Sequence, residues 1–564
     1  MELNAPNASP RKSLFASIAW GALIVATLYV CYFSHLGAIG FVGPDEPRYA
    51  WIARAMAETG DWVTPRLYGR PWFEKPPLYY WGAALSFKLF GVSEAAARLP
   101  SAICALLATL AMAWLAWRVY GAETARWLLL LLPTTVGMIG FSHAAATDMP
   151  FSGMLTIAMV CAAVALGLTR DEKSPVSPRT PWAALFLFGV FLGLAVLAKG
   201  PAAIILSGGA VFFWALFTRR WKDAFRLLHP VAIVSFCVTA LPWYVLCARR
   251  NPEFFRVFII EHNFKRFLTP EFQHIQPFWY YGPILLIAFL PWTPILIRGI
   301  FDETRSVRSM PRGSLALLFL TFSAFCIVFF TASQSKLPGY ILPVIPAFAL
   351  AVAKTTQQSW EQDSRGFSAL LIGWGASLLG VGVALHPLHL VKLSKVDESV
   401  QLGVCILLVE LAAISILIGL CLRVRRSYSA VIAQILSVAW ICIPLGLVGG
   451  KVLRQVEPDI SARYLAEVTV ENRIPLDQIG LYRVNRAREY QLNFYFHREL
   501  NPVTPGQSLP RYVVTDLQGI SELRKAGFRF QRFLFGRGIQ NTISLYELAL
   551  PGSPDGDAGG RKLN

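Results

Sequence analysis

The sequence predicts an all-α polytopic membrane protein of about thirteen transmembrane helices, followed by a small α/β domain at its C-terminal end. Three observations carry this. Apolar runs of about 20 residues, the length that crosses a bilayer as a helix, recur along most of the 564 residues. Only 15% of residues are charged, against about 25% in soluble proteins, and the mean hydropathy is +0.48. The cations behind the net charge of +18 sit in short loops between apolar runs and are not gathered on one soluble face. That placement argues against nucleic-acid binding and for orientation signals and contacts with anionic membrane lipid.

The expected spans are 14–34, 97–118, 123–141, 152–169, 181–198, 201–217, 229–247, 279–298, 315–331, 339–354, 366–386, 402–422 and 429–450. With a cytoplasmic N-terminus, alternate loops contain Arg118 and Arg126; Arg170, Lys173 and Arg179; Arg219, Arg220, Lys222 and Arg226; Arg298, Arg305, Arg308 and Arg312; and Arg423, Arg425 and Arg426. The opposite short loops, at 142–151, 199–200 and 332–338, have few cations. The positive-inside rule therefore makes the basic loops cytoplasmic and the chain from about 451 onward external. Arg11 and Lys12 before the first run read as the cytoplasmic start of an uncleaved helix, since no A-x-A cleavage site follows. All nine cysteines fall in or beside apolar runs, without a C-x-x-C pair, and read as small core residues.

Two long segments face outward in this topology. Residues 35–96 form an extended first loop, grouped here with a transmembrane catalytic domain at 1–450. Within it, 47–58 has a helical apolar period with Trp and Arg that suits a helix in the membrane interface. Residues 451–564 form the second domain, with strands expected at 478–484, 492–497, 511–515 and 542–548 and helices at 459–471 and 517–526. The Gly/Asp/Pro-rich end from Pro551 to Asn564 reads as disordered.

Six places carry conspicuous chemistry, and this topology puts all six on the outer face. They are Asp45-Glu46-Pro-Arg48, Glu74-Lys75-Pro-Pro, His143 to Asp148, Lys199-Gly-Pro, Glu261-His262-Asn-Phe-Lys265-Arg266, and Lys336-Leu-Pro-Gly-Tyr340. Charge at the membrane boundary is costly, so a one-sided gathering marks a site. Each place also has a plainer reading. Asp45 and Asp148 precede helices opened by prolines and suit N-caps, where the helix dipole holds a carboxylate ionised. Lys199 and Lys336 suit lysines that snorkel to the interface. His262 suits a structural histidine, and Glu74 with His262 is a thin basis for a divalent metal. The combination of carboxylates with several cations suits group transfer from a phosphorylated lipid, in which cations neutralise the leaving phosphate and a carboxylate orients or deprotonates the acceptor.

On Asp45-Glu46, Phe73-Glu74-Lys75-Pro76-Pro77, Asp148-Met-Pro and Lys336-Leu-Pro-Gly-Tyr340-Ile-Leu-Pro, the chain resembles the polyprenyl-phosphate-dependent glycosyltransferases of the C-type fold. Within them it is most similar to the bacterial 4-amino-4-deoxy-L-arabinose lipid A transferases. The resemblance spans nearly the whole chain. It implies an undecaprenyl phosphate-linked sugar donor, a lipid A phosphate as acceptor, the bacterial inner membrane, a periplasm-facing active site and resistance to polymyxin and other cationic peptides. It implies Asp45, Asp148 and Glu74 as catalytic carboxylates and Arg48, Lys75, Lys199, Arg266, Lys336 and Tyr340 as substrate-binding residues. Among these, Lys75, Arg266 and Tyr340 are candidates for the donor phosphate, with Lys265 a rival to Arg266. No cofactor is required, a metal at Glu74 and His262 stays open, and a monomer among membrane lipids is expected. Protein O-mannosyltransferases share the acidic first loop and would take a Ser or Thr hydroxyl instead. A lipid-linked substrate transporter or flippase is the rival of another class, but transporters usually show internal repeats and midplane charges, and neither is visible here.

Overall fold

The computed structural model describes residues 10–169, 181–265, 275–306, 314–362, 364–385, 398–424, 457, 460–503, 510–535 and 543–548. The expected span 429–450, Arg266, the side chain of His262 and the tail from Pro551 lie outside this description. The chain divides into two compact units. One comprises Met1–Ser34, Phe73–Tyr79 and Ser101–Leu445, the other His35–Trp72, Tyr80–Pro100 and Gly446–Asn564.

In chain order the helices are α1 (Pro10–Tyr32), α2 (Asp45–Thr59), α3 (Leu78–Phe90), α4 (Glu94–Tyr120), α5 (Ala122–Leu131), α6 (Val136–Ser142), α7 (Asp148–Ala165), α8 (Trp182–Lys199) and α9 (Ala202–Thr218). Then come α10 (Trp221–Phe225), α11 (Pro230–Arg250), a π-helical stretch at Arg256–Lys265, α12 (Tyr281–Ala288), α13 (Thr293–Ser306), α14 (Leu315–Ala332), α15 (Val344–Gln362), α16 (Ser364–Ala384) and α17 (Glu398–Val424). Among the described residues, seven helices are long and apolar enough to cross a membrane, or nine if two bent pairs each count as one span.

Those two pairs correct the sequence reading, which drew 123–141 and 279–298 as single helices. The chain instead bends by 63° between α5 and α6 and by 115° between α12 and α13. Pro133 and Pro291 lie at the two breaks. Each removes an N–H and clashes with the carbonyl four residues back, so the helix stops there. The span expected from 339 likewise starts later, at Val344, because Pro338–Ile341 form a separate 3-10 turn.

Close helix packing in the first unit rests on small residues. A Cβ on Gly189 would lie 2.2 Å from the Ala232 carbonyl oxygen, so α8 and α11 approach to backbone contact there. The eight described cysteines are buried or half-buried, in line with their reading as core residues, and Cys442 lies outside the described residues.

The second unit joins the first loop to the C-terminal segment. A two-stranded hairpin, β1 (Arg66–Leu67) and β2 (Arg70–Pro71), follows α2. The C-terminal part has α18 (Arg463–Glu471), β3 (Ile479–Leu481), α19 (Arg486–Phe496), β4 (Asn501–Pro502), β5 (Tyr512–Thr515), α20 (Leu517–Lys525), β6 (Phe530–Phe535) and β7 (Ser544–Leu548). Its five-stranded sheet has the order β4-β3-β5-β7-β6, parallel through β4-β3-β5 and antiparallel through β5-β7-β6. Leu465, Ile479, Leu481, Leu492, Val514 and Leu545 form its core.

The strand expected at 492–497 is part of helix α19. The Asn485 side chain accepts from the Arg488 N–H and caps the helix start, and Leu492 and Phe496, four residues apart, bury one face. The apolar period of α2 is met by protein. Trp51 packs edge-on against Tyr68, and Tyr49 against Tyr80. Gln491 of α19 donates to the Phe41 carbonyl, and the Tyr495 hydroxyl receives the Phe41 N–H.

Candidate active site

In the first unit, the site is built where one helix starts and another ends. Asp148 opens α7, and Lys199 closes α8, which stops there because Gly200 takes a left-handed φ of +94°. Lys199 Nζ lies 2.6 Å from Asp148 Oδ1. Helix dipoles favour a carboxylate at a helix start and an ammonium at a helix end, so both charges are placed where the backbone stabilises them. The Lys199 side chain is 9% exposed and that of Asp148 23%. Lys199 does not snorkel. Nor is Asp148 the cap of α7, a position taken by Thr147, just as Pro44 takes it for α2.

A third segment closes over this pair. A Cβ on Gly339 would lie 2.5 Å from Asp148 Oδ1, so the Lys336-to-Tyr340 loop passes so close to the carboxylate that any side chain there would push one of them aside. The buried Tyr340 ring then sits 4.6 Å from Lys199 Nζ and packs on Phe330 at 5.0 Å. The ring face favours a cation at that distance. Lys336 is also buried. On the other side, the approach to α7 is fixed. His143 places Nε2 2.9 Å from the Ser34 carbonyl and Nδ1 2.9 Å from the Ile139 carbonyl, and Ser101 donates to the Ala144 carbonyl. His143, conspicuous in sequence, serves here to hold the chain.

Glu74 and Lys75 are half-buried. Their neighbour Phe73 packs edge-on against Phe254, which stacks on Phe258 within the π-helical stretch. Phe254 also meets Trp243 of α11, and Tyr244 donates to the Val196 carbonyl one turn before Lys199. The Glu-Lys element and the segment leading to Lys265 are thus tied, through aromatic contacts, to the end of α8 that holds Lys199. Among the described residues no three His, Cys, Asp or Glu side chains form a metal site.

In the second unit, the adjacent acids Asp45 and Glu46 part ways. Asp45 is half-exposed and accepts from Arg48, which is itself 5% exposed. The Arg48 guanidinium lies over the rings of Tyr49, Trp72 and Tyr490 at 5.2–5.7 Å. Glu46 is buried against Arg98 at 2.8 Å and receives the Val42 N–H. Arg98 also donates to the carbonyls of Leu36, Ile39 and Gly40. Sequence reading missed Arg98. Its one signal was an arginine just inside an apolar run, where charge is rare unless paired.

Comparison with known proteins then places the chain. The family model described as dolichyl-phosphate-mannose-protein mannosyltransferase matches residues 18–258. The crystal structure of ArnT from Cupriavidus metallidurans bound to undecaprenyl phosphate superimposes with a TM-score of 0.77 over 93% of this chain and 97% of that one, at 23% identity. The chain has the ArnT fold. It is also a sequence relative of the undecaprenyl phosphate-alpha-4-amino-4-deoxy-L-arabinose arabinosyl transferases. That of Edwardsiella ictaluri is 33% identical over 61% of this chain and 63% of its own length. That of Pseudomonas paraeruginosa is 29% identical over 82% of both chains. The match covers about three fifths of the length of the first of these relatives. The shared fold accords with the polytopic helical architecture expected from the sequence.

Proposed function

We propose that this protein is an inverting glycosyltransferase that moves 4-amino-4-deoxy-L-arabinose from undecaprenyl phosphate to a phosphate of lipid A. The observation that carries the reading is the Asp148–Lys199 pair beneath the Gly339-Tyr340 loop, in a chain with the ArnT fold. Supporting it are sequence relatives named for that transfer. The reading places thirteen spans in the bacterial inner membrane, the reacting residues on the periplasmic side and a monomer as the working form.

In the reaction, the bond between the anomeric carbon and the donor phosphate oxygen breaks, and polyprenyl phosphate leaves with the bonding electrons. An oxygen of the acceptor phosphate attacks the opposite face and forms the new bond. A phosphate monoester has a second pKa near 6, so the acceptor is mostly dianionic at neutral pH and needs no base. The carboxylates Asp148, Asp45 and Glu74 then serve to orient substrate, bind the sugar amine or stabilise positive charge developing on the sugar. Lys75, Lys336 and Arg266 are the proposed cations for the phosphates. Lys199 is committed to Asp148 and acts chiefly as its positioning residue. Arg48, caged by rings, stands in the same relation to Asp45.

The mannosyltransferase family match keeps a second reading open, transfer to a protein hydroxyl. Purified enzyme given labelled undecaprenyl phosphate-aminoarabinose with either lipid A or a Ser/Thr peptide separates the two. The proposal requires label on lipid A and none on peptide; label on peptide alone would replace it with the mannosyltransferase-like reading.

A further inference from the structure

Away from Lys199, α8 also lines a cavity. The middle of α8, the first half of α9, the start of α11 and the short α10 line an open cavity of about 380 Å³. That volume falls within the range of roughly 300–1,000 Å³ typical of ligand cavities. Its walls are almost wholly apolar, with Phe188, Leu192, Phe212, Trp221 and Phe225 prominent. None of the residues placed in the candidate active site lines it.

The chain segment that forms one wall of the cavity is rich in cations. Between Arg219 and Leu228 the chain alternates wall residues with Arg219, Arg220, Lys222 and Arg226, four cations against the single carboxylate of Asp223. Asp223 pairs with Arg220 at 2.6 Å and with Arg226 at 3.1 Å. Arg219 and Lys222 are exposed, beside the exposed apolar side chains of Phe225 and Leu228. Exposed aromatic and aliphatic groups interleaved with cations mark an element at a membrane surface. The positive-inside rule assigns this same loop to the cytoplasmic leaflet, where lipid headgroups are anionic.

We propose that this cavity binds one anionic glycerophospholipid of the cytoplasmic leaflet, with an acyl chain between α8, α9 and α11 and its phosphate held by Arg219 and Lys222. The walls match hydrocarbon and offer a polar ligand almost nothing to bond. The cations match a phosphate ester and reject a zwitterionic headgroup by comparison. The site does not depend on the transfer reaction and would hold if the sugar or acceptor were different.

Gly208 gives a clean probe. It lines the cavity, a Cβ there meets nothing within 4 Å, and it lies inside α9. Gly208→Leu therefore adds side-chain atoms to the cavity from a position where the first added carbon displaces no protein. Native mass spectrometry of the full-length protein, titrated with phosphatidylglycerol or phosphatidylcholine, reads the site. Wild type should retain one phosphatidylglycerol in preference to phosphatidylcholine. Gly208→Leu should lose retention of both. The exposed double variant Arg219→Gln/Lys222→Gln should keep the fold and lose the headgroup preference, by about fivefold for each cation removed. Unchanged phosphatidylglycerol retention in Gly208→Leu, an unchanged preference in the double variant, or displacement of the lipid by equimolar undecaprenyl phosphate would each overturn the proposal.

Discussion

Asp148 and Lys199, fifty-one positions apart, meet at 2.6 Å because one opens a helix and the other closes the next. An ion pair with so little solvent around it has a stability that depends on both partners, since removing one leaves the other uncompensated. In that pair Asp148 serves as the hydrogen-bond acceptor for the Lys199 ammonium.

The two residues should therefore behave as a unit. Asp148→Asn and Lys199→Ala are each expected to lower the transfer rate by about 100-fold or more. The double variant should be little worse than either single one. Initial rates with labelled donor check this; multiplying effects would separate the two residues.

Gly339 tests the fit of the loop above the pair. Gly339→Ala places a methyl 2.5 Å from Asp148 Oδ1 and must push loop or carboxylate aside. Transfer should fall by at least about tenfold, since small misplacements at a reacting centre are costly. Gly373→Ala, where a Cβ meets nothing within 4 Å, is the control and should leave the rate unchanged.

Arg98 holds the loop that leads to Asp45 through Glu46 and three carbonyls. Arg98→Met strands a buried carboxylate and should destabilise the protein by about 3–5 kcal/mol. Adding Glu46→Gln should recover part of that loss. Arg98→Lys should not, because an ammonium lacks the planar fork that reaches several acceptors. Thermal unfolding in detergent, with limited proteolysis of the first loop, reads the effect.

Burial raises the Glu489 carboxyl above its ordinary value; Arg486 opposes the shift and Glu499 adds to it. A raised carboxyl favours folding while protonated, and that contribution is lost as pH climbs through its folded value. Glu489→Gln should then melt slightly higher than wild type at pH 7, by under about 2 °C, and lose the advantage below pH 4. A lower melting temperature at pH 7 would show that the carboxylate is held by its neighbours.

Much of this was legible in sequence because the bilayer imposes simple rules. Length and hydropathy pointed to a polytopic helical chain, and Asp148, Lys199 and the Gly339-Tyr340 loop stood out as polar residues between apolar runs. What escaped depended on tertiary contact. Pro133 and Pro291 each lay in a run long enough to pass for a single helix. The 492–497 segment has an aromatic alternation that reads as strand, and only the Asn485 cap and the burial of Leu492 and Phe496 reveal the helix. Strand β6 is largely exposed at the sheet edge and has little pattern to detect. Arg98 drew no attention inside its apolar run because its partners lie 52 to 62 positions away.

The most direct measurement is mass spectrometry of lipid A after incubation with the purified protein and undecaprenyl phosphate-aminoarabinose. The account predicts lipid A heavier by one aminopentose with wild-type protein and unmodified lipid A with Asp148→Asn. Unmodified lipid A with the wild type, or equal modification by both proteins, would contradict it.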